Sequence, residues 1–445
     1  ALSMAWIISQ ESFFDLSPIN HLKLRASFGE TGNQEVNDNL FVTNYRNDRR
    51  YGDKDLINGG TSIQSLGTRD LSWENSNSFD IGLEYALFDN RHFGSFTYFQ
   101  QQVSDLLLQV PLPLSATIDD SSPEIWENTG SITKYGFEIE LAFNLIKNSN
   151  FRWDINLNYT HVNNKVNDLY TDVDSRGNGI ISRNVTLTKS GGKLGAYFLA
   201  SYAGVDEEKG VEMINEIDLE LFNQRGITIK TGNLIPATQQ NIIDHKVYNS
   251  KKSGIPTFYG GINSTLHFKQ FSVDMLWNFV GGHYLFDYSY HLAHYPGIGG
   301  KNLNLDIADN SWSVEGENAE FAELRWNYFY DWNMVNGTWV TETTNYNNSS
   351  FFTDRFLQKG DFIRLRNIRV NYSFSDNQLR RMKFKSLDIH CSIQNLLTFT
   401  KYKGLDPEAV TITLDESINN LSPGLIRNTP LPNLLTFNLG ITASF

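Results

Sequence analysis

The chain has 445 residues and a formal net charge of −13 at pH 7, from 37 basic against 50 acidic side chains. That balance excludes a nucleic-acid binder, because a polyanion is held by basic stripes that release its counterions. A single cysteine, Cys391, excludes internal disulfides and thiolate zinc clusters, while 30 Phe, 20 Tyr and 9 Trp beside 5 Met make a strand composition rather than that of a helical bundle.

In chain order, the opening ALSMAWIISQ has no basic leader region and no small-residue cleavage site. It reads as a first strand near Leu2 to Ile8, either of a processed protein or of a piece of a longer one. Segments with a period of two follow: Leu22 to Phe28, Phe79 to Leu87, Phe137 to Leu145, Phe151 to Tyr159, Phe258 to Phe268, Phe271 to Phe279, Ile368 to Phe374 and Leu387 to Ile393. His92 to Val103 is a further strand of unsettled register, since Phe93, Phe96, Tyr98 and Phe99 occupy both faces. The last segment is the clearest. Leu435, Phe437, Leu439, Ile441, Ala443 and Phe445 share one face, and Thr436, Asn438, Gly440, Thr442 and Ser444 share the other.

Alternation alone suits a stack of soluble β-sandwiches as well as a membrane barrel. Three features favour the barrel. The segments run to about ten residues, which at roughly 3.3 Å each and a tilt of about 45° span an apolar band of about 25 Å. Aromatic residues crowd the strand ends, as with Phe79 and Tyr85, Phe151 and Tyr159, or Phe437 and Phe445. The links also alternate in length. Short ones are 89–91, 147–150, 269–270 and 375–385; long ones are 30–76, 104–133, 163–255, 284–352 and 398–432. Apolar runs fall far below the roughly 18 residues of a spanning helix, so a helical membrane protein is excluded.

Taking Phe445 as periplasmic, the up-and-down parity works only if Leu194 to Ala203 is left out of the wall and assigned to one long extracellular excursion. Ten wall strands and the first near Leu2 remain, an odd number, whereas single-chain bacterial barrels are even and edgeless. The fold class expected is therefore all-β: the C-terminal half, about 11 strands, of a larger antiparallel transmembrane barrel with long extracellular loops. Residues 1–445 form one portion of that barrel, and the rest of the wall lies upstream or on a separate polypeptide.

Several stretches then resemble the SusC/RagA-like TonB-dependent outer-membrane transporters of Bacteroidetes. They are Leu22-Lys23-Leu24-Arg25-Ala26-Ser27-Phe28-Gly29 with Glu30-Thr31-Gly32-Asn33-Gln34, Leu71-Ser72-Trp73-Glu74 before Phe79-Asp80-Ile81-Gly82-Leu83, and Asp105-Leu106-Leu107-Leu108 with Val110-Pro111-Leu112-Pro113. Asn128-Thr129-Gly130, Gly136-Phe137-Glu138 and Tyr259-Gly260-Gly261 come next, then Phe362-Ile363-Arg364-Leu365-Arg366-Asn367, Gln394 to Tyr402 (QNLLTFTKY) and Asp406-Pro407-Glu408. Their order across almost the whole chain is the specific signal. The resemblance implies a 22-stranded barrel of about that count, filled by an N-terminal plug, energised through TonB and paired with a SusD-like surface lipoprotein. It implies import of oligosaccharides or peptides across the outer membrane. The plug, the TonB box and the first half of the wall are not within this sequence. The alternative is a structural or adhesive outer-membrane barrel that binds a protein partner without passing cargo. A secreted multi-domain sandwich is a third reading.

Enzyme chemistry is not expected: no phosphate cradle or nucleophile signature is present, and Glu138 and Glu140 sit on the polar face of one strand rather than across a cleft. No cofactor or metal is assigned. Asp172 to Gly179 opens like a calcium loop, but Arg183 stands where the bidentate Glu belongs. His283, His291 and His294 beside Asp287 have conceivable metal spacing for a helix, yet Tyr284, Phe286, Tyr288, Tyr290 and Tyr295 around them suit an aromatic strand extension or loop base. Gly204 to Gly210 (GVDEEKG) departs from the acidic stretch of relatives, so no metal site is carried over. The long loop from Asn302 holds Trp312, Trp326, Trp332 and Trp339 with Tyr328 and Tyr330, residues suited to stacking on sugar, to contact with a lid protein, or to a core of the loop's own. Phe445, with Phe437 and the alternation behind it, resembles the signal read by the outer-membrane assembly machinery. The lipid bilayer is the remaining partner expected.

Overall fold

The computed structural model describes residues 1–33, 40–51, 58–111, 124–169, 179–182, 185–225, 227–294, 302–314, 316, 318–324, 331–335, 338–342, 353–382, 384–408, 423–426 and 431–445. Its main sheet has eleven strands in chain order: Leu2–Ile7, Ile19–Asn33, Glu74–Leu87, His92–Ser104, Ser131–Lys147, Phe151–Asp168, Phe258–Phe268, Phe271–Gly281, Phe362–Ser373, Ser386–Thr400 and Thr436–Ser444. The all-β antiparallel wall, its strand count and the exclusion of Leu194 to Ala203 from it are borne out. No described helix is long and apolar enough to cross a membrane. The chain divides into two compact units, Ala1–Phe143 with Thr160–Ile180 and Lys189–Gly192, and Asn144–Tyr159 with Ile181–Thr188 and Lys193–Phe445.

In the first unit, antiparallel pairing sets Leu22 opposite Tyr85, Leu24 opposite Leu83 and Phe28 opposite Phe79, so apolar side chains meet on one face. The odd residues between them, Lys23, Arg25 and Ser27, meet Glu84, Gly82 and Asp80 on the other. The same register settles His92–Ser104. Phe96 and Tyr98 pair with Ile139 and Phe137 on the apolar face, whereas Phe99 pairs with Gly136 on the polar one. Phe99 fits there because Gly136 has no Cβ; one built on it would lie 3.0 Å from the Phe99 ring and 2.0 Å from the His161 carbonyl oxygen. Phe88, Asp89 and Asn90, all at positive φ, make the tight link into the fourth strand, and Asn20 accepts the Asp89 amide at 2.7 Å.

In the second unit, Phe271–Gly281 pairs with Phe362–Ser373 in register, except for a slip between Leu276 and Trp277. Asp274 faces Arg369 below the slip and Asn278 faces Arg364 above it, so Arg366 is an extra residue and the strand changes phase. The neighbouring strand Ser386–Thr400 is irregular at the same level, where Asn395 adopts φ 55°. This is why the sequence alternates only over Ile368 to Phe374 and Leu387 to Ile393, although both strands run longer. The link at 375–385 is not a bare turn but holds the helix Asp376–Met382.

The long excursions build small structures of their own. Ala196–Ala200, buried on both faces, pairs with Lys246–Ser253, and a separate three-stranded sheet joins Tyr202–Val205, Glu212–Ile217 and Lys230–Pro236. Val185, Tyr197, Leu199, Phe286, Phe356 and Leu425 form the largest of the loop cores.

Candidate functional site

The apolar face is exposed rather than packed between layers. Phe437, Leu439 and Ile441 of the last strand are 64%, 67% and 67% exposed, and Phe96 and Phe271 are exposed too. On the same face the Trp153 indole donates to the Ser264 hydroxyl at 3.0 Å, so two polar groups on a greasy surface satisfy one another.

The polar face carries charge in chains. In the first unit, Lys23 lies 3.1 Å from Glu84, Arg25 lies 3.3 Å from Glu84 and 3.2 Å from Asp80, and Arg25 donates to Thr97 at 2.8 Å while Ser27 donates to Asp80. Gly82 seats this ladder, because a Cβ there would come within 2.8 Å of Arg25 Nε. Half-exposed pairs of this kind add about 0–1 kcal/mol each, so what they contribute is a fixed arrangement of charge rather than stability. Glu138 and Glu140 are both exposed on the polar face of one strand. In the second unit, Ser272, Asp274, Arg369, Asn371, Asp388 and Thr442 line an open depression of about 340 Å³.

Above the phase slip, one buried knot ties three stretches together. Arg364 reaches Asp406 at 2.5 Å, Glu408 at 2.7 Å and Thr398 at 3.0 Å; Arg366 binds Glu408 and reaches Asn395 at 3.2 Å. Asn433 closes the knot by donating its amide and side chain to Asp406 at 2.9 Å and 3.0 Å. Burial works against the charge of Asp406, but Arg364 and the amides of Asn433 and Glu408 outweigh it and hold the carboxyl below its usual range. All three stretches carry the family resemblance, but their order along the chain does not show that they converge. The signal available was a pair of arginines beside the end of a strand and an acidic pair past the next one.

A second buried pair lies in the loops: Arg355 contacts Glu212 at 2.7 Å and stands over the rings of Phe321 and Tyr202 at 4.4 Å and 4.7 Å. Burial raises the Glu212 carboxyl above its usual range against the pull of that guanidinium.

The histidines lie on or beside a short strand, Tyr284–Asp287, and the helix Tyr288–Ala293 that follows it. His291 is buried and stacks on Phe356 at 4.7 Å, His294 stacks on Phe321 at 5.4 Å, and His283 lies beneath Gly360. Asp287 does not join them as a ligand; it accepts the Tyr402 hydroxyl and the Tyr290 amide. Among the described residues no group of His, Cys, Asp and Glu is arranged to hold a metal ion. Burial, with the nearby His294 and Arg355, pushes His291 down to about 3.

Of the loop aromatics, Trp312 packs over Gly210 and donates its indole to the Glu207 carbonyl at 2.9 Å. Asp206 caps the intervening turn at the amides of Glu208 and Lys209. Trp332 and Trp339 lie on a hairpin of Asp331–Val335 with Thr338–Glu342. Trp326, Tyr328, Tyr330 and Tyr295 lie outside the described residues, as do residues 172–178 and Arg183 of the calcium-like stretch. Phe445 packs against Phe384 with tilted rings, centroids 4.8 Å apart.

A sheet with an exposed apolar face, a charged opposite face and large structured loops between alternate strands defines the wall of an outer-membrane β-barrel. The family model described as TonB dependent receptor-like, beta-barrel, matches residues 10–207. TonB-dependent receptor P3 of Formosa agariphila is 27% identical over 466 residues, covering 100% of this chain and 41% of the relative. TonB-dependent receptor SusC of Bacteroides thetaiotaomicron is 24% identical over 467 residues, covering 100% of this chain and 40% of the relative. Among solved structures, the RagAB peptide transporter superposes with a TM-score of 0.75 at 20% identity, covering 100% of this chain and 43% of that one. Over its whole length the chain is similar to TonB-dependent receptors, SusC among them, and it shares the fold of the RagAB transporter barrel. It spans about two fifths of the length of the relatives it matches.

Proposed function

We propose that this chain is the C-terminal portion of the barrel of an outer-membrane nutrient importer. Cargo is an oligosaccharide or peptide, held between the polar wall and the long loops together with a SusD-like surface lipoprotein, and released inward when TonB acts on a plug. The observation that carries this reading is the likeness of the whole chain to TonB-dependent receptors, SusC among them. The polar wall supports it physically. Fixed ion pairs such as Arg25 with Asp80 offer hydrogen-bond donors and acceptors to a hydrated cargo without leaving a net charge to trap it. The name of the RagAB peptide transporter supports peptides; oligosaccharides rest on the family resemblance of the sequence alone.

Deleting the gene and testing growth on a panel of single oligosaccharides and peptides decides the matter. Loss of growth on one class, restored by the full-length gene, is the expected result. Normal growth and normal uptake on every member would refute transport and favour an adhesive scaffold.

A further inference from the structure

A groove lies at the loop end of the apolar face, where four wall strands of the second unit finish. Phe258, Ile363 and Phe399 line its floor, and Lys359, Asp361 and Lys401 line its rim, around a volume of about 550 Å³. The floor continues an aromatic girdle. Phe258 stacks on Tyr159 at 6.4 Å, and Phe399 stacks on Trp277 at 6.4 Å. Rings of this kind sit at the boundary between hydrocarbon and headgroup.

Lys401 follows Phe399 by two residues of extended chain, which places it about 7 Å farther out, at headgroup height. Lys359 and Lys401 are both exposed, and among the described residues neither has an ion-pair partner. Asp361, the acid in the lining, is engaged: its carboxylate accepts the Gly282 amide at 2.8 Å. In a chain of net charge −13, two free ammonium groups above an apolar floor are a local reversal of sign.

We infer that this groove binds a phosphorylated glycolipid of the outer leaflet, of the lipid A type, with acyl chains against Phe258, Ile363 and Phe399 and a phosphate between Lys359 and Lys401. The long-loop end of a bacterial barrel faces outward, so the lipid that meets this rim is the outer-leaflet glycolipid. Its phosphates match the lysines in charge, and its acyl chains match the floor in polarity. The inference rests on the barrel reading and adds to it a lipid of defined headgroup.

The test is native mass spectrometry of the full-length protein purified in detergent and titrated with bis-phosphorylated lipid A. The double variant K359Q/K401Q is expected to bind about thirtyfold more weakly, at about fivefold per lysine, while K251Q, on an exposed loop strand, binds as the parent does. Dephosphorylated lipid A is expected to bind the parent as weakly as phosphorylated lipid A binds the double variant. Equal binding by parent and double variant, no discrimination against the dephosphorylated lipid, or equal competition by phosphatidylglycerol would each overturn the inference while leaving the barrel intact. A protein that remains monodisperse in water without detergent and binds no lipid would overturn the barrel reading itself.

Discussion

Arg364 and Asp406 are joined by a 2.5 Å ion pair with side chains only 3% and 4% exposed, although a helix and a whole wall strand separate them in the chain. Breaking a buried pair from one side leaves a charge without compensation, at a cost of about 3–5 kcal/mol. Arg364→Met is therefore expected to lower the thermal midpoint of the detergent-solubilised protein well below that of Arg364→Met/Asp406→Asn. A single variant no less stable than the double one would show that the pair is not coupled. Because the Asp406 carboxyl is held low, its contribution is present above the unfolded value and disappears only as pH falls through the depressed one.

His291 sets a different pH limit. Its value in the fold is about 3 against 6.5 unperturbed, so the unfolded segment takes up the proton first. The stability of its core is present above about pH 6.5 and is lost progressively as pH falls toward 3. Amide protection factors in the strand Tyr284–Asp287, taken relative to the intrinsic exchange rate at each pH, are expected to fall across that window. His291→Phe keeps a ring against Phe356 and should flatten the dependence. An unchanged profile in that variant would assign the acid sensitivity elsewhere.

The Trp153 to Ser264 hydrogen bond makes a claim about solvent. If this face meets hydrocarbon, Trp153→Phe strands the serine hydroxyl and costs about 1–3 kcal/mol. Ser264→Ala in the same background should recover part of that loss. A double-mutant cycle in folding from urea into lipid vesicles measures it, and a coupling energy near zero would remove the argument.

Two adjacent glycines should differ sharply. A Cβ on Gly260 would lie 2.2 Å from the Asn158 carbonyl oxygen, whereas one on Gly261 meets nothing nearer than 3.1 Å. Gly260→Ala forces backbone apart, at about 1–3 kcal/mol, and Gly261→Ala is expected to be the milder change. Heat-modifiable mobility on gels gives the ranking, with the reverse order counting against this strand spacing.

At the other end of the chain, removing Phe445 deletes the partner of Phe384, and inserting one residue after Thr436 exchanges the two faces of the last strand. Both changes are expected to reduce assembled barrel in the outer membrane, the insertion more severely. Unaltered levels of the heat-modifiable form would argue that neither feature guides assembly.

The wall was readable from sequence because each strand has one face in each solvent, and period two is then unavoidable. Leu435 to Phe445 shows it without interruption. His92–Ser104 resisted because Phe99 occupies the polar face over Gly136, a placement that depends on a glycine in the next strand. The loop cores were harder still. Ala196–Ala200 is buried on both sides and has no alternation to read; only the up-and-down parity excluded it from the wall. The Arg364 knot was invisible for a further reason. Its partners are brought together by the fold of a whole loop, and both strands that carry them depart from regular pairing at that level.

That departure has a consequence for how the wall can vary. With Arg366 as the supernumerary residue, Arg364 and Arg369 can both point to the aqueous side although an odd interval separates them. Excising that one position would restore a regular ribbon and leave both arginines on the aqueous side, because the interval between them becomes four. A lone deletion among the one-to-one pairs from Ile368 to Tyr372 would instead exchange the solvent of everything on one side of it, so the joint is where this strand can lose a residue without turning a charge toward oil.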